Sequence, residues 1–326
     1  MKLSLKRDSL RSSRSDFLVK ASIILPVLIL NSAVICYSSP LKVQDDRGKV
    51  FALSHPPQRI ISLSPAITET LFALGLDKEI VGVTNLCDYP AKAKKKMKVG
   101  SYIHPNVEKI IALQPDLVLS TTHTSLAAER LQELGVPVFV INPKTLKASM
   151  DSILSVGEIT GKAEEAAEIV ARLNQRIKAV TDRVKNLKEE DKPSVLWQIG
   201  SNPLVTVGPE TLGHDLIVLA GGRNIVGNAL IEYPRYSLEA ILYKNPEVII
   251  VVGMIEGDYS RGEMKRWNRW KNLSAVKNRR VHRIDSDLVT RRGSPRVVDG
   301  LEEVARILHP ELFKPKQERK EKNAQR

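Results

Sequence analysis

Val107-Glu108-Lys109-Ile110-Ile111-Ala112-Leu113-Gln114-Pro115-Asp116-Leu117-Val118-Leu119 returns further along the chain as Leu238-Glu239-Ala240-Ile241-Leu242-Tyr243-Lys244-Asn245-Pro246-Glu247-Val248-Ile249-Ile250. Each copy is an apolar residue, a glutamate, a short helical stretch, a proline-acid break and an apolar strand. The glutamates lie 131 positions apart. Two more pairings keep the same order. Ser64-Pro65 through Ile80-Val81-Gly82 matches Gly208-Pro209 through Ile225-Val226-Gly227, with the prolines 144 apart. Residues 138–142 match residues 281–285 at an offset of 143. Any two αβ units share some of these features, but three pairings in one order at similar offsets mark an internal duplication. Equivalent glutamates on two equivalent units suggest docking rather than catalysis.

Outward from the repeat, strands alternate with helices. Residues 42–53 alternate as short strands about Asp46-Arg47-Gly48, a hairpin centre. Residues 59–63 form a strand, Ser64 caps a helix with Pro65 at its first position, and that helix ends near Gly75. Further strands are expected at 80–83, 117–119, 138–141, 195–199, 248–252 and 281–284. Asn106 and Ser237 stand as caps, which places Glu108 and Glu239 in the first turn of their helices. In the middle, Ala166, Ile169, Val170, Leu173, Ile177, Val180, Val184 and Leu187 recur at steps of three and four, the amphipathic signature. Residues 163–188 then make a helix of about 39 Å at 1.5 Å per residue. The fold class expected is α/β, with two similar lobes built on central parallel sheets flanked by helices and joined by one long interlobe helix. The expected organisation is an N-terminal strand segment at 39–57, an N-terminal lobe at 58–147, a helical linker at 148–190 and a C-terminal lobe at 191–313.

The ends read differently from the body. Lys2, Lys6, Arg7, Arg11, Arg14 and Lys20 precede an apolar run from Ala21 to Cys36, so residues 1–38 are expected to be a secretory signal peptide. That run falls short of the roughly 20 residues that span a bilayer. The expected location is periplasmic, with lipid anchoring at Cys36 as the alternative. Residues 314–326 form a basic, solvated tail. The formal charge of +13 is concentrated at these ends: each carries six basic and two acidic residues, leaving +5 for the body. That balance and the lack of a nucleic-acid module argue against nucleic-acid binding. Of the two cysteines, Cys36 would leave with the signal, and Cys87 reads as a buried small hydrophobe. No cluster of Cys and His supports a structural metal site.

In open α/β sheets, ligands bind beyond the carboxyl ends of the strands. The polar and aromatic residues expected there give the candidate ligand set: Ser64, Pro65, Asp88, Tyr89, Tyr102, His123, Asn202, Tyr233, Asp287 and Arg292. Tyr102 and Tyr233 each stand six residues before a glutamate of the repeat. Competing structural roles exist: Tyr89 as a loop pin, Arg291-Arg292 as solvated cations, Trp267 and Trp270 as packing residues. The glutamates themselves are favoured by the helix dipole. No catalytic residue is assigned, because the chain contains no Gly-x-Ser-x-Gly elbow, no His-Glu-x-x-His and no Gly-rich phosphate loop.

Several of these stretches are similar to the periplasmic substrate-binding proteins of ABC importers for cobalamin, ferric siderophores and haem, most of all the cobalamin-binding members. They are Arg59-Ile60-Ile61-Ser62-Leu63-Ser64-Pro65 with Thr68-Glu69, Val81-Gly82-Val83, Asp88-Tyr89-Pro90, the first repeat copy, Gly221-Gly222-Arg223-Asn224-Ile225 and Ser294-Pro295-Arg296. The resemblance implies a non-enzymatic carrier that delivers a corrinoid to an inner-membrane permease dimer with its ATPase subunits. It also implies docking of Glu108 and Glu239 on permease arginines, and a corrin held between aromatic side chains. Tyr102 and Tyr233 occupy two such aromatic positions, while Leu86 and Ile199 depart from the pattern at two others. Asp287 and Arg292 match polar positions of the cleft. No cofactor is expected apart from the transported ligand. Haem or a ferric siderophore is the alternative cargo; an exported enzyme or a sensor on the same fold is the reading from another class.

Overall fold

The computed structural model describes residues 41–122, 125–253 and 259–313. The expected signal peptide at residues 1–38, with Cys36, and also His123 and residues 314–326 lie outside the described residues. An antiparallel hairpin, β1 (Leu41–Gln44) and β2 (Val50–Leu53), opens the described chain. Its turn is tied by Asp45, which accepts from the backbone N–H of Arg47 and Lys49 and pairs with the Arg47 guanidinium at 2.8 Å.

Lobe 1 follows as β3 (Ile60–Ser62), α1 (Pro65–Ala73), β4 (Ile80–Val83), α2 (Val107–Ala112), β5 (Leu117–Thr121), α3 (Ser125–Glu133) and β6 (Val138–Ile141). Two helices then cross to lobe 2: α4 (Leu146–Ile159) and α5 (Ala163–Val184). Lobe 2 contains β7 (Ser194–Gln198), β8 (Gly200–Ser201), β9 (Leu204–Val205), α6 (Leu212–Leu219), β10 (Arg223–Asn224), β11 (Arg235–Tyr236), α7 (Leu238–Lys244) and β12 (Val248–Gly253). It ends with α8 (Tyr259–Trp267), α9 (Ser274–Lys277), β13 (Val281–Asp285), α10 (Ser286–Val289) and α11 (Val297–Leu308).

The duplication is visible in the sheets. Lobe 1 orders its strands β4-β3-β5-β6 and lobe 2 orders them β10-β7-β12-β13, all parallel, so both run second, first, third, fourth. Lobe 2 adds a small antiparallel sheet, β11-β9-β8, absent from the repeat. One pairing from the sequence shifts. Pro65 opens α1, but Pro209 precedes α6, whose cap is Thr211 accepting from the His214 N–H at 3.2 Å. The helices align from their caps, not from the prolines.

Strand alternation distributes the core over both faces of each sheet. In lobe 1, Ile60, Leu117, Leu119 and Phe139 point to one side, and Ile61, Val118, Val138 and Val140 to the other. In lobe 2, Val195, Trp197, Ile250 and Val252 oppose Leu196, Ile249 and Val251. The inner faces of both sheets, the buried stripe of α5 and the apolar side of α11 form one continuous cluster. The lobes therefore share a core, which resists large hinge motion.

The connection is a helical hairpin where the periodicity predicts a single long rod. α5 covers 22 residues, about 33 Å; Val184 is its last fully buried stripe residue, and Leu187 N–H donates to Val184 in a tighter turn at 3.1 Å. α4 closes in a Schellman turn: Lys162 N–H donates to Gly157 O at 2.6 Å and Gly161 N–H to Glu158 O at 3.2 Å. Gly161 sits there at φ +71°, and a Cβ would fall 2.7 Å from Pro56 Cγ, so only glycine fits.

Candidate functional site

Helices that lead back into parallel strands begin on the same edge at which the strands end, so helix amino-termini and strand carboxyl ends share a rim in each lobe. α2 and α7 both start there. Asn106 Oδ1 accepts from Lys109 N–H at 2.7 Å, and Ser237 Oγ accepts from Ala240 N–H at 3.2 Å. These caps place Glu108 and Glu239 at the second position of equivalent helices, both exposed. The Glu239 carboxyl lies below its ordinary range because its own backbone N–H and the Ser237 hydroxyl favour the charged form.

The loops that lead from the second strand of each lobe to α2 or α7 carry four of the ten expected ligand residues. In lobe 1 this loop holds Asp88, Tyr89 and Tyr102; in lobe 2 it holds Tyr233. Tyr89 and Tyr233 are exposed, while Tyr102 is half-buried with its hydroxyl 3.2 Å from Thr121 Oγ1 at the end of β5. Ser64 is buried and Pro65 half-buried at the start of α1. Ser64 offers no side-chain cap; its carbonyl instead accepts from Ser62 Oγ and Thr68 Oγ1. Asn202 is elsewhere in lobe 2. It lines a cavity of about 300 Å³ with Gln198, Trp267, Trp270, Tyr236 and Glu263. Trp267 packs in the core, as its spacing predicts, and donates to Gln198 Oε1 at 2.6 Å, whereas Trp270 is part-exposed on the cavity wall.

An ion-pair network joins the rims. Arg291 reaches from lobe 2 to Glu69 on α1 (2.6 Å), to Asp88 (3.0 Å) and to its own-lobe neighbour Asp287 (2.6 Å). Arg296 approaches Glu69 at 3.3 Å and lies over the Tyr89 ring, 4.2 Å from its centroid. Ser294 Oγ also donates to Glu69, and Thr70 Oγ1 donates to Gly293 O at 2.8 Å. The Tyr89–Pro90 peptide is cis. Burial pushes the Glu69 carboxyl above its ordinary range, while Ser294 and the guanidiniums pull it back. Burial opposes the Arg291 charge, yet Glu69, Asp287 and Asp88 hold its pKa above the usual value. Removing one partner of such a buried pair leaves an uncompensated charge, a cost of about 3–5 kcal/mol.

The structure thus brings Asp88 and Asp287 together on Arg291, with Tyr89 alongside under Arg296. Arg292 is half-buried and close enough to Lys144 to oppose its charge. Lys144 itself pairs with Glu232 at 2.6 Å, beside Tyr233. Glu69, Ser294 and Arg296 carry no sequence signal beyond membership in the Thr68-Glu69 and Ser294-Pro295-Arg296 stretches. Cys87 is fully buried, 3.2 Å from Thr84 Oγ1, and burial pushes its thiol up. Among the described residues no group of three His, Cys, Asp or Glu side chains is arranged to hold a metal ion.

Residues 60–288, both sheets and the helices between them, match the family described as periplasmic binding protein. The chain belongs to this family. A relative in Bacillus subtilis (strain 168), an uncharacterized ABC transporter substrate-binding lipoprotein, is 31% identical over 84% of this chain and 87% of its own. Among solved structures of the family, the periplasmic vitamin B12-binding protein of Vibrio cholerae superposes with a TM-score of 0.68 at 27% identity, covering 80% of this chain and 100% of that one. A periplasmic heme-binding protein from Roseiflexus sp. RS-1 superposes with a TM-score of 0.67 at 25% identity, covering 78% and 99%. The two-lobed parallel-sheet architecture is that of these periplasmic binding proteins.

Proposed function

We propose that this protein is the extracytoplasmic substrate-binding component of an ABC importer, carrying a corrinoid between its two lobes. The observation that carries the reading is a matched pair of apolar lips. Leu86, Tyr89 and Ile103 on the β4–α2 loop, and Leu230, Ile231 and Tyr233 on the β10–α7 loop, are between 41% and 102% exposed. Large apolar side chains grouped on a surface mark a binding region. Two such groups at equivalent loops suit a broad, flat ligand taken between them. A tetrapyrrole brings its own equatorial metal ligands, so the protein need supply only apolar faces and polar edges. The relatives named for vitamin B12 and for heme support the same ligand class.

Glu108 and Glu239 supply the other half of the function. They head equivalent helices next to those lips, where they would pair with arginines of a permease dimer. The resemblance to importer components and the duplicated placement support binding over catalysis. Among the described residues no helix is long and apolar enough to cross a membrane. The family and the basic-apolar pattern of residues 1–38 support a location outside the cytoplasm, free in the periplasm or anchored by lipid at Cys36.

Haem is the second reading, favoured by the heme-binding neighbour and by the Tyr102 hydroxyl at the end of β5. Titration of purified protein with cyanocobalamin and haemin, followed by gel filtration and absorbance, separates the two. Co-elution of cyanocobalamin is expected. Retention of haemin without any corrinoid would replace the first reading with the second.

A further inference from the structure

We propose that Glu69 sets ligand selectivity by masking Arg291, so that the site prefers a tetrapyrrole edged with amides over one edged with carboxylates. The inference rests on the tetrapyrrole reading above and adds what distinguishes its two candidates. A corrin carries neutral primary amides around its ring, which donate N–H groups. A porphyrin of the haem type carries propionates, which only accept. The sign of the polar edge therefore decides between them.

The ion-pair network at that edge is acidic. The Arg291 side chain is 11% exposed and the Glu69 side chain 2%. Nη1 of Arg291 is aimed at Glu69 Oε1, and Nη2 at both Asp88 Oδ1 and Asp287 Oδ2. Three carboxylates share two guanidiniums, Arg291 and Arg296, for a formal balance of one negative charge. Arg296 is also committed, with its face on Tyr89 and one nitrogen toward Glu69. The neighbouring cation Lys144 is paired with Glu232. Meanwhile Asp88 Oδ2 and Asp287 Oδ1 take no part in the network, and these side chains are 49% and 37% exposed. What the network offers a ligand is acceptor oxygens. A ligand amide can donate to them, whereas a propionate meets like charge.

Glu69 itself is too buried to touch cargo; it acts through Arg291 as a positioning residue. Glu69→Gln leaves two carboxylates against two guanidiniums, which brings the formal balance to zero and removes the net repulsion that an anion meets. Asp88→Asn loosens the same fork from its exposed side and leaves the buried pair intact, so it reports even if Glu69→Gln does not fold. Each variant is expected to raise the ratio of haemin affinity to cyanocobalamin affinity at least tenfold, and the double variant Glu69→Gln/Arg291→Gln to return it toward wild type. A second arm uses inorganic phosphate at constant ionic strength, read by thermal shift. Phosphate should stabilise Glu69→Gln and Asp88→Asn but neither the wild type nor the double variant. If the single variants weaken both ligands equally, the network is a structural clasp and the proposal falls. If the wild type binds no corrinoid, the corrinoid reading fails, and the phosphate arm alone decides this inference: equal response in all four proteins overturns it.

Discussion

Gly157→Ala tests the close packing on which the lobe arrangement depends. A Cβ built on Gly157 would lie 2.3 Å from Ala166 Cβ and 2.8 Å from Lys162 O. Carbon atoms in contact prefer roughly 3.5–4.0 Å, so α5 or the turn must retreat by more than an ångström. The turn cannot give easily, because Lys162 also holds the Schellman bond to Gly157. Nor can α5, whose Ala166, Ile169, Val170 and Leu173 are set in the shared core. Overpacking of this kind costs about 1–3 kcal/mol, while replacing glycine by alanine within a helix returns up to about 1 kcal/mol. The clash wins. At mid-range values the net loss is about 1–2 kcal/mol, which corresponds to a melting temperature lower by about 2–8 °C. Gly262→Ala in α8 is the control, since a Cβ there meets nothing within 4 Å; it should be neutral or stabilising by up to about 1 kcal/mol. Thermal unfolding by circular dichroism compares the three proteins. A Gly157→Ala protein melting at or above wild type would refute the tight α4–α5 approach and the rigid connection inferred from it.

Charge reversal at both docking positions, Glu108→Arg with Glu239→Arg, should abolish uptake in cells while leaving ligand affinity within twofold; normal transport by the double variant removes the docking role. Cys87 should resist thiol reagents in the native protein and react on unfolding, because burial raises its pKa and closes access; rapid native labelling would contradict its placement. Glu69 gives a pH test. Its folded pKa lies above the ordinary 4.5, so the native state holds this proton more readily than the unfolded chain. The charged carboxylate is thus a stability cost above the folded pKa, relieved as pH falls toward 4.5. Urea unfolding at about pH 7 and about pH 5 should show wild type gaining on Glu69→Gln upon acidification; a change in the opposite direction would contradict the assignment.

The parts of this molecule that were legible in the sequence are those the duplication repeats. Glu108 and Glu239, Asn106 and Ser237, and the two four-stranded sheets occupy equivalent places, and the sequence shows them because cap, glutamate and strand lie within a few residues of one another in each copy. The β8–β9 insertion, with strands of two residues, leaves no period to detect. The network was invisible for a different reason. Glu69 and Arg291 are separated by 222 positions, and no local pattern links them. Nor does the repeat help. Glu69 is the fifth residue of α1, and the fifth residue of α6 is Leu216, fully buried and apolar. Lobe 2 thus fills with hydrocarbon the place where lobe 1 keeps a carboxylate. A desolvated acid is costly compared with leucine, and here Arg291, Arg296 and Ser294 of the other lobe offset that cost. Under the proposed function, the duplicated features serve partners that meet both lobes alike, the permease dimer and the two faces of a flat ligand. The unduplicated carboxylate suits something without that symmetry, and under the same proposal that is the polar edge of the ligand, so selectivity is assigned to Glu69 rather than to a residue of the repeat.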